Sequence, residues 1–134
     1  MTPEQVQLVR SSFAKIVYRK DEVGLLFYDR LFTIAPEVRP LFKSDVEAQS
    51  RKLMDTLAVA VNMLRDKDAL LAVLADLGRR HRGYGVEAAH YAKVGEALLW
   101  TLEKGLGPAF DAPTRAAWVS LYATAAGAMQ RNAV

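Results

Sequence analysis

The sequence predicts an all-α chain. Apolar residues recur at intervals of three and four almost throughout, strict alternation is hard to find, and no repeat or Ser/Gly-rich linker interrupts the pattern. The 134 residues make a single domain, 1–134. Half of them are hydrophobic and a quarter charged (51% and 25%), which argues against a disordered or collagen-like chain. A chain this long buries roughly two-thirds of its unfolded surface, so it needs no metal or disulfide to fold.

The elements follow in order. Thr2 is a helix cap, Pro3 suits the first helical position and Gln5 completes a capping box; Val6, Val9, Phe13 and Ile16 then share one face. A second helix covers about Asp21 to Ala35, where Pro36 disfavours further helix. A short segment holding Pro40 ends at Leu41 and Phe42. Ser44 to Glu47 reads as a second capping box, opening a helix to about Arg65 with Val46, Leu53, Leu57, Ala60, Val61 and Leu64 inward. The next helix, about Asp68 to Arg82, carries the stripe Leu70, Leu74, Leu77, His81, and Gly83 and Gly85 stop it. Helices from about Glu87 to Lys104 and Pro113 to Gln130 complete the chain.

With no Cys, disulfides, zinc ribbons, iron–sulfur clusters and thiol catalysis are excluded. Two His are too few for a His-rich metal cage but enough for one axial ligand. The net charge of +3 is spread along the chain, and its one cluster is Arg79, Arg80 and Arg82, so no nucleic-acid partner is expected. The longest apolar run, Leu57 to Val61, is far short of the ~20 residues of a membrane span. The opening MTPEQVQLVR lacks an apolar leader core, and together with the absence of Cys this fits the cytoplasm.

Four residues could carry chemistry. His81 points where Leu residues point, and burying an imidazole without a partner costs about 1–3 kcal/mol. It is either a core histidine bonded to a carbonyl or a ligand to a metal or haem iron. Gln49 interrupts the stripe of Leu53 and Leu57; it is either a rim amide in water or a polar group reaching into an apolar pocket. Tyr28 lies in the most hydrophobic helix, and its hydroxyl needs a partner if buried. Phe42 follows a proline-marked corner and reads equally well as core.

Taken in order, these residues and their surroundings carry a resemblance. GLLFYDRLF from Gly24, the AP and RPLF fragments up to Phe42, QSRKLM from Gln49, LGRRHRGYGV from Leu77, HYAKVGEALL from His90, and AAW and LY at Ala116 to Trp118 and Leu121 to Tyr122 resemble the globin family. The likeness is strongest to bacterial single-domain globins related to the globin part of flavohaemoglobins. It implies a globin fold with helices A, B, C, E, F, G and H around a haem b pocket. The short link from Phe42 to Ser44 implies no D helix. By this resemblance His81 is the axial ligand of haem iron, Phe42 stacks on the porphyrin, and Tyr28 and Gln49 form the polar pair that binds dioxygen. Leu53 limits the space beside them, and Tyr91 lies near the proximal histidine. The Leu77 carbonyl, one turn before His81, is the expected acceptor for its second ring nitrogen. Leu77, Val94 and Arg80 join the cofactor-binding set. Arg80 and Lys52 are candidates for the haem propionates, and Lys52 is the one residue able to supply a sixth iron ligand. Arg51 and Arg79 read as a solvated face, His90 as a surface or helix-start residue, and Trp100 and Trp118 as packing.

The resemblance implies reversible binding of dioxygen and other diatomic gases (NO, CO), for storage, transport or scavenging at low oxygen. Dioxygenation of nitric oxide with a separate reductase, or gas sensing, would use the same pocket. Flavohaemoglobins carry a late glutamate that makes the proximal histidine electron-rich. Here that position falls near Ala133, beside Arg131 and Asn132, and no carboxylate follows Asp111. The 134 residues hold no flavin or nicotinamide domain, so a peroxidase-like push and self-sufficient dioxygenation are not expected.

Overall fold

The computed structural model describes residues 1–43 and 45–131. Its six α-helices are α1 (Pro3–Ile16), α2 (Lys20–Ile34), α3 (Val46–Asn62), α4 (Lys67–Gly83), α5 (Ala88–Leu106) and α6 (Ala112–Arg131). Tighter 3-10 turns occupy Val17–Arg19, Pro36–Leu41 and Gly107–Ala109, and there is no strand among the described residues.

Local chemistry explains most of the boundaries. The Thr2 hydroxyl accepts the Gln5 N–H, and the Gln5 side chain returns to the Thr2 N–H, each at 3.1 Å. Asp45 caps α3 by accepting the Ala48 N–H at 2.8 Å. The cap is therefore Asp45 rather than Ser44, which lies outside the described residues. Asp66 caps α4 in the same way through Ala69. α3 ends at Asn62, short of the expected Arg65, because the Met63 N–H reaches back to the Ala60 carbonyl and Leu64 to Val61, tightening the last turn.

The main core joins Val9, Phe13 and Ile16 of α1, Val23, Phe27 and Leu31 of α2, Leu98 and Leu102 of α5, and Trp118 and Leu121 of α6. Trp118 is fully buried, and its ring N–H donates to Ser12 Oγ at 2.8 Å. Ser12 in turn donates to the Leu8 carbonyl at 2.7 Å, so the one polar atom of the indole is satisfied inside the core. A smaller cluster of Leu70, Leu74 and Ala128 lies between α4 and α6.

Helix seating decides which faces are buried. α3 packs on α2, where a side chain at Gly24 would come within 2.8 Å of Ser50 Cβ. α4 packs on α6, where a Cβ at Gly78 would run into the Met129 carbonyl. α3 and α4 meet only at one end, where Ala60, Met63 and Leu64 reach the smaller cluster. Along the rest of their length no extensive packing joins the two helices.

The single stripe expected along α4 divides accordingly. Leu70, Leu74 and Gly78 are buried against α6, whereas Leu77 and His81 are only half-buried. On α3, Ser50, Met54 and Val61 are buried, whereas Gln49, Leu53 and Leu57 are half-buried. The half-buried sets are one step around each helix from the packed ones.

Gly78→Ala tests this seating. Alanine favours a helix by about 0.5–1 kcal/mol over glycine, but forcing a methyl against a backbone carbonyl costs about 1–3 kcal/mol. The variant is expected to have a lower denaturation midpoint by circular dichroism; a raised midpoint would show that α4 is not held by this contact.

Candidate functional site

Four elements contribute apolar side chains in the region of the candidate residues. α3 gives Leu53 and Leu57, α4 gives Leu77, α5 gives Val94 and Leu98, and the corner after α2 gives Leu41 and Phe42. The segment after α4 runs close to that corner: a Cβ added at Gly85, whose φ is +90°, would lie 3.4 Å from Leu41 Cδ2. Val94 and Phe42 pack on the main core yet stay partly exposed, as expected for side chains with one free face.

Three polar groups interrupt this lining. The first is His81. Its Nδ1 lies 2.8 Å from the Leu77 carbonyl, which fixes that nitrogen as the N–H donor and leaves Nε2 with its lone pair. Nε2 makes no hydrogen bond among the described residues. Burial pushes the His81 pKa down, the Leu77 bond opposes this, and the nearby Arg80 charge lowers it further. The ring is therefore neutral at pH 7, the form that ligates a metal.

The second is Tyr28. Its ring is 5% exposed and stands edge-on to Phe42 at 5.2 Å and to Phe27 at 5.0 Å, with Phe32 at 5.8 Å. Its hydroxyl makes no hydrogen bond among the described residues, and burial pushes its pKa up to about 12. It remains a proton donor over the whole physiological range. The third is Gln49, in the first turn of α3, half-buried and with its amide unbonded among the described residues. Its backbone is held through the Asp45 carbonyl.

The other candidates lie around this centre. Tyr91 is half-buried at the start of α5; burial raises its hydroxyl pKa and Arg82 lowers it, which sets it beside the end of α4. Its carbonyl accepts the Tyr122 hydroxyl. Arg80 forks onto Asp76 at 2.6 and 3.1 Å on the exposed side of α4, so a propionate contact would have to break this pair. Lys52 is exposed and makes no ion pair among the described residues. His90 Nδ1 accepts the Glu87 N–H at 3.0 Å and belongs to the helix start. Trp118 is core, and Trp100 packs beneath Arg30 and Lys104. Ala133 and Asn132 lie outside the described residues.

Three site neighbours were not singled out by sequence. Phe32 completes the aromatic wall with Tyr28 and Phe42; its position four residues after Tyr28 was the available signal. Leu41 meets the loop after α4 and Tyr84 meets His81, and nothing in the linear pattern announces either contact. Among the described residues no group of three or more His, Cys, Asp or Glu could form a metal cage. One imidazole in an apolar slot suits instead a flat group that brings its own equatorial donors, as haem does.

An all-helical fold holding such a slot defines a haem-pocket class of protein, and comparison with known proteins agrees. The globin family model matches residues 25–129. The chain is 32% identical to neuroglobin of Chaenocephalus aceratus and to neuroglobin of Dissostichus mawsoni, each match covering 98% of this chain and 92% of the relative. It is 31% identical to neuroglobin of Danio rerio, over 93% of this chain and 87% of that one. The chain belongs to the globin family. That family implies a haem cofactor and a diatomic gas as ligand. In its lettering α1 and α2 are helices A and B, the Pro36–Leu41 turn is C, and α3 to α6 are E to H. These relatives are neuroglobins, whereas the sequence motifs pointed toward bacterial globins. No helix is long and apolar enough to cross a membrane among the described residues.

The two titrations give opposite pH limits. The unfolded chain protonates its histidine near pH 6.5, while folded His81 resists protonation. The unfolded state then binds more protons, so this contribution to stability is full above about pH 6.5 and is lost as pH falls. Tyr28 acts in the other direction: burial pushes its pKa up to about 12, above the ordinary tyrosine value of about 10, so stability is lost as pH rises past about 10. Denaturant midpoints of the cofactor-free protein should therefore drop on the acid side in the parent and less in His81→Gln. Equal acid slopes would remove His81 as the cause.

Proposed function

We propose that this protein is a reversible oxygen-binding haem protein, with haem b held by His81 and dioxygen held by Tyr28 and Gln49. We place it in the cytoplasm, with a separate reductase keeping its iron ferrous. What supports this reading is membership of the globin family together with three polar groups, His81 Nε2, the Tyr28 hydroxyl and the Gln49 amide, whose bonding capacity no described residue uses. When bound, haem supplies the iron on which a diatomic gas binds. The residues do the rest. His81 offers Nε2 while the Leu77 carbonyl holds the ring in one orientation and one tautomer. Phe42, Leu53 and Val94 offer apolar faces to the disc and keep water away from it.

Tyr28 and Gln49 supply the selectivity. With haem bound, dioxygen would be a more strongly charged hydrogen-bond acceptor than carbon monoxide, and Tyr28 and Gln49 are the donors that would meet it. The Tyr28 hydroxyl keeps its proton because burial disfavours the phenolate. The likeness to bacterial single-domain globins is part of this proposal and rests on the same pair. Turnover of nitric oxide to nitrate in the presence of a cellular reductase would distinguish an enzyme from a carrier.

Two experiments test the pocket. A hydrogen bond to a charged acceptor contributes about 1.5–3 kcal/mol, and each 1.4 kcal/mol is about tenfold in an equilibrium constant. Tyr28→Phe should speed oxygen dissociation by roughly 10- to 100-fold, with a much smaller change in association. Gln49→Leu should act in the same direction, and the double variant should fall short of the summed effects. Stopped-flow dissociation within about twofold of the parent for Tyr28→Phe would transfer control to the apolar wall at Leu53.

The second experiment concerns coordination. Gln49 is a poor iron ligand and α3 carries no histidine, so the unliganded ferrous form should be five-coordinate. His81→Ala should lose haem or its histidine-type spectrum. A six-coordinate ferrous spectrum that Lys52→Ala abolishes would reassign Lys52 as a ligand.

A further inference from the structure

A cleft of about 380 Å³ lies where α2, α5 and α6 come together, and it takes no residue from the candidate haem site. Its α5 residues are Glu96, Leu99, Trp100 and Glu103, which share one helical face at spacings of three and four. That face is opposite the one carrying Val94 and Leu98.

The cleft has the make-up of a protein–protein contact. Ile34, Leu99 and Trp100 are apolar side chains left half-buried there. Charged residues share the cleft with them: Arg30 and Arg115 are positive, Glu96 and Glu103 negative. Apolar side chains among charged ones, with Trp and Arg prominent, are what such contacts are built from. The chain itself leaves most of these charges unused. Glu96 is held by Lys93 at 3.8 Å. Arg30 lies over the Trp100 ring, 4.9 Å from its centroid, and makes no ion pair among the described residues. Glu103 and Arg115 are exposed and line the same cleft with opposite charge, yet neither makes an ion pair among the described residues.

We propose that this cleft is the contact face of a two-fold symmetric homodimer, in which Glu103 pairs with Arg115 of the partner subunit. The occupant follows from the charges. The lining holds two of each sign, so a partner of a single sign, whether nucleic acid or a uniformly acidic protein, gains nothing overall. A partner that fits must carry both signs beside an apolar centre. A second copy of this face does so, and a two-fold axis brings Glu103 opposite Arg115 twice. Trp100 supplies the large, partly open ring on which such contacts are anchored. The inference does not depend on the oxygen-binding reading.

Charge reversal tests the pairing. Sedimentation equilibrium of the parent protein, at chain concentrations up to about 1 mM, should show a monomer–dimer equilibrium that weakens with added salt. Glu103→Arg places like charges across the axis, and Arg115→Glu does so with the other sign. Each alone should raise the dimer dissociation constant by roughly tenfold or more, since like charges in contact are strongly disfavoured. Mixed together, the two variants should associate with each other at about the parent's affinity, because both unlike pairs are regained. Both residues are exposed, so neither change disturbs the core. Lys67→Glu, on α4 and outside the cleft, makes the same charge change as Arg115→Glu and should leave the equilibrium unaltered. A parent that stays monomeric overturns the proposal, and so does a dimer that both reversals leave intact. Variants that fail to associate with each other overturn the two-fold pairing. None of these changes touches His81, Tyr28 or Gln49, so oxygen binding should be the same throughout.

Discussion

The close approach of α4 to the backbone of α6 at Gly78 governs the arrangement of the whole site. A helix can reach a neighbouring carbonyl this closely only where it carries no side chain. Once α4 is seated there, its next residue around, Leu77, and the residue one turn on, His81, are turned away from α6. A similar approach at Gly24 seats α3 on α2 and turns Gln49 and Leu53 outward. Neither α3 nor α4 packs extensively on the other, because each is committed to another partner. Each glycine lies within about one turn of a candidate residue, Gly78 before His81 and Gly24 before Tyr28, so the seating of each helix also sets the direction of that side chain.

This division also explains the burial pattern. Protein interiors are close-packed, and a domain this size ordinarily buries its large apolar side chains completely. Leu53, Leu57, Leu77 and Val94 remain half-buried although they sit on apolar faces. Burying one such side chain contributes about 1.5–3 kcal/mol, so leaving several partly open is costly unless something else covers them. A flat apolar disc of haem's size offers both faces at once, which no single helix can do.

Much of this was legible in the residues, and the rest failed for identifiable reasons. Caps and prolines placed the helices to within a few residues, since Thr2, Gln5 and Pro36 act locally. His81, Tyr28, Gln49 and Phe42 stood out because each breaks an apolar context or follows a corner. The stripe on α4 was legible only as one face, because Leu74 and Leu77 share a helical register while facing two different neighbours. Gly78 was silent: its importance comes from Met129, fifty-one residues on. Arg80 read as a free cation because the competing partner, Asp76, lies four residues back on the same exposed helix, and such pairs form whenever geometry allows. Tyr84 drew no notice because an exposed tyrosine at a helix end has no pattern to violate.

The candidate polar groups bear on both stability and function. A buried donor or acceptor left without a partner costs about 1–3 kcal/mol. The fully buried side-chain polar atoms without a partner among the described residues are Ser50 Oγ and Arg19 Nε. The Tyr28 hydroxyl and His81 Nε2 are also unbonded but keep some access to solvent, so their cost is smaller. On the proposed reading that capacity would be used when haem binds, because a ligand that binds only the folded state raises its stability by mass action. The same argument orders the two sets of residues. His81 would gain its partner with haem, whereas Tyr28 and Gln49 would gain theirs only with a gas. On that reading the Tyr28 and Gln49 pair would keep unmet bonding capacity after haem is bound, and a polar diatomic ligand would satisfy it where an apolar one would not.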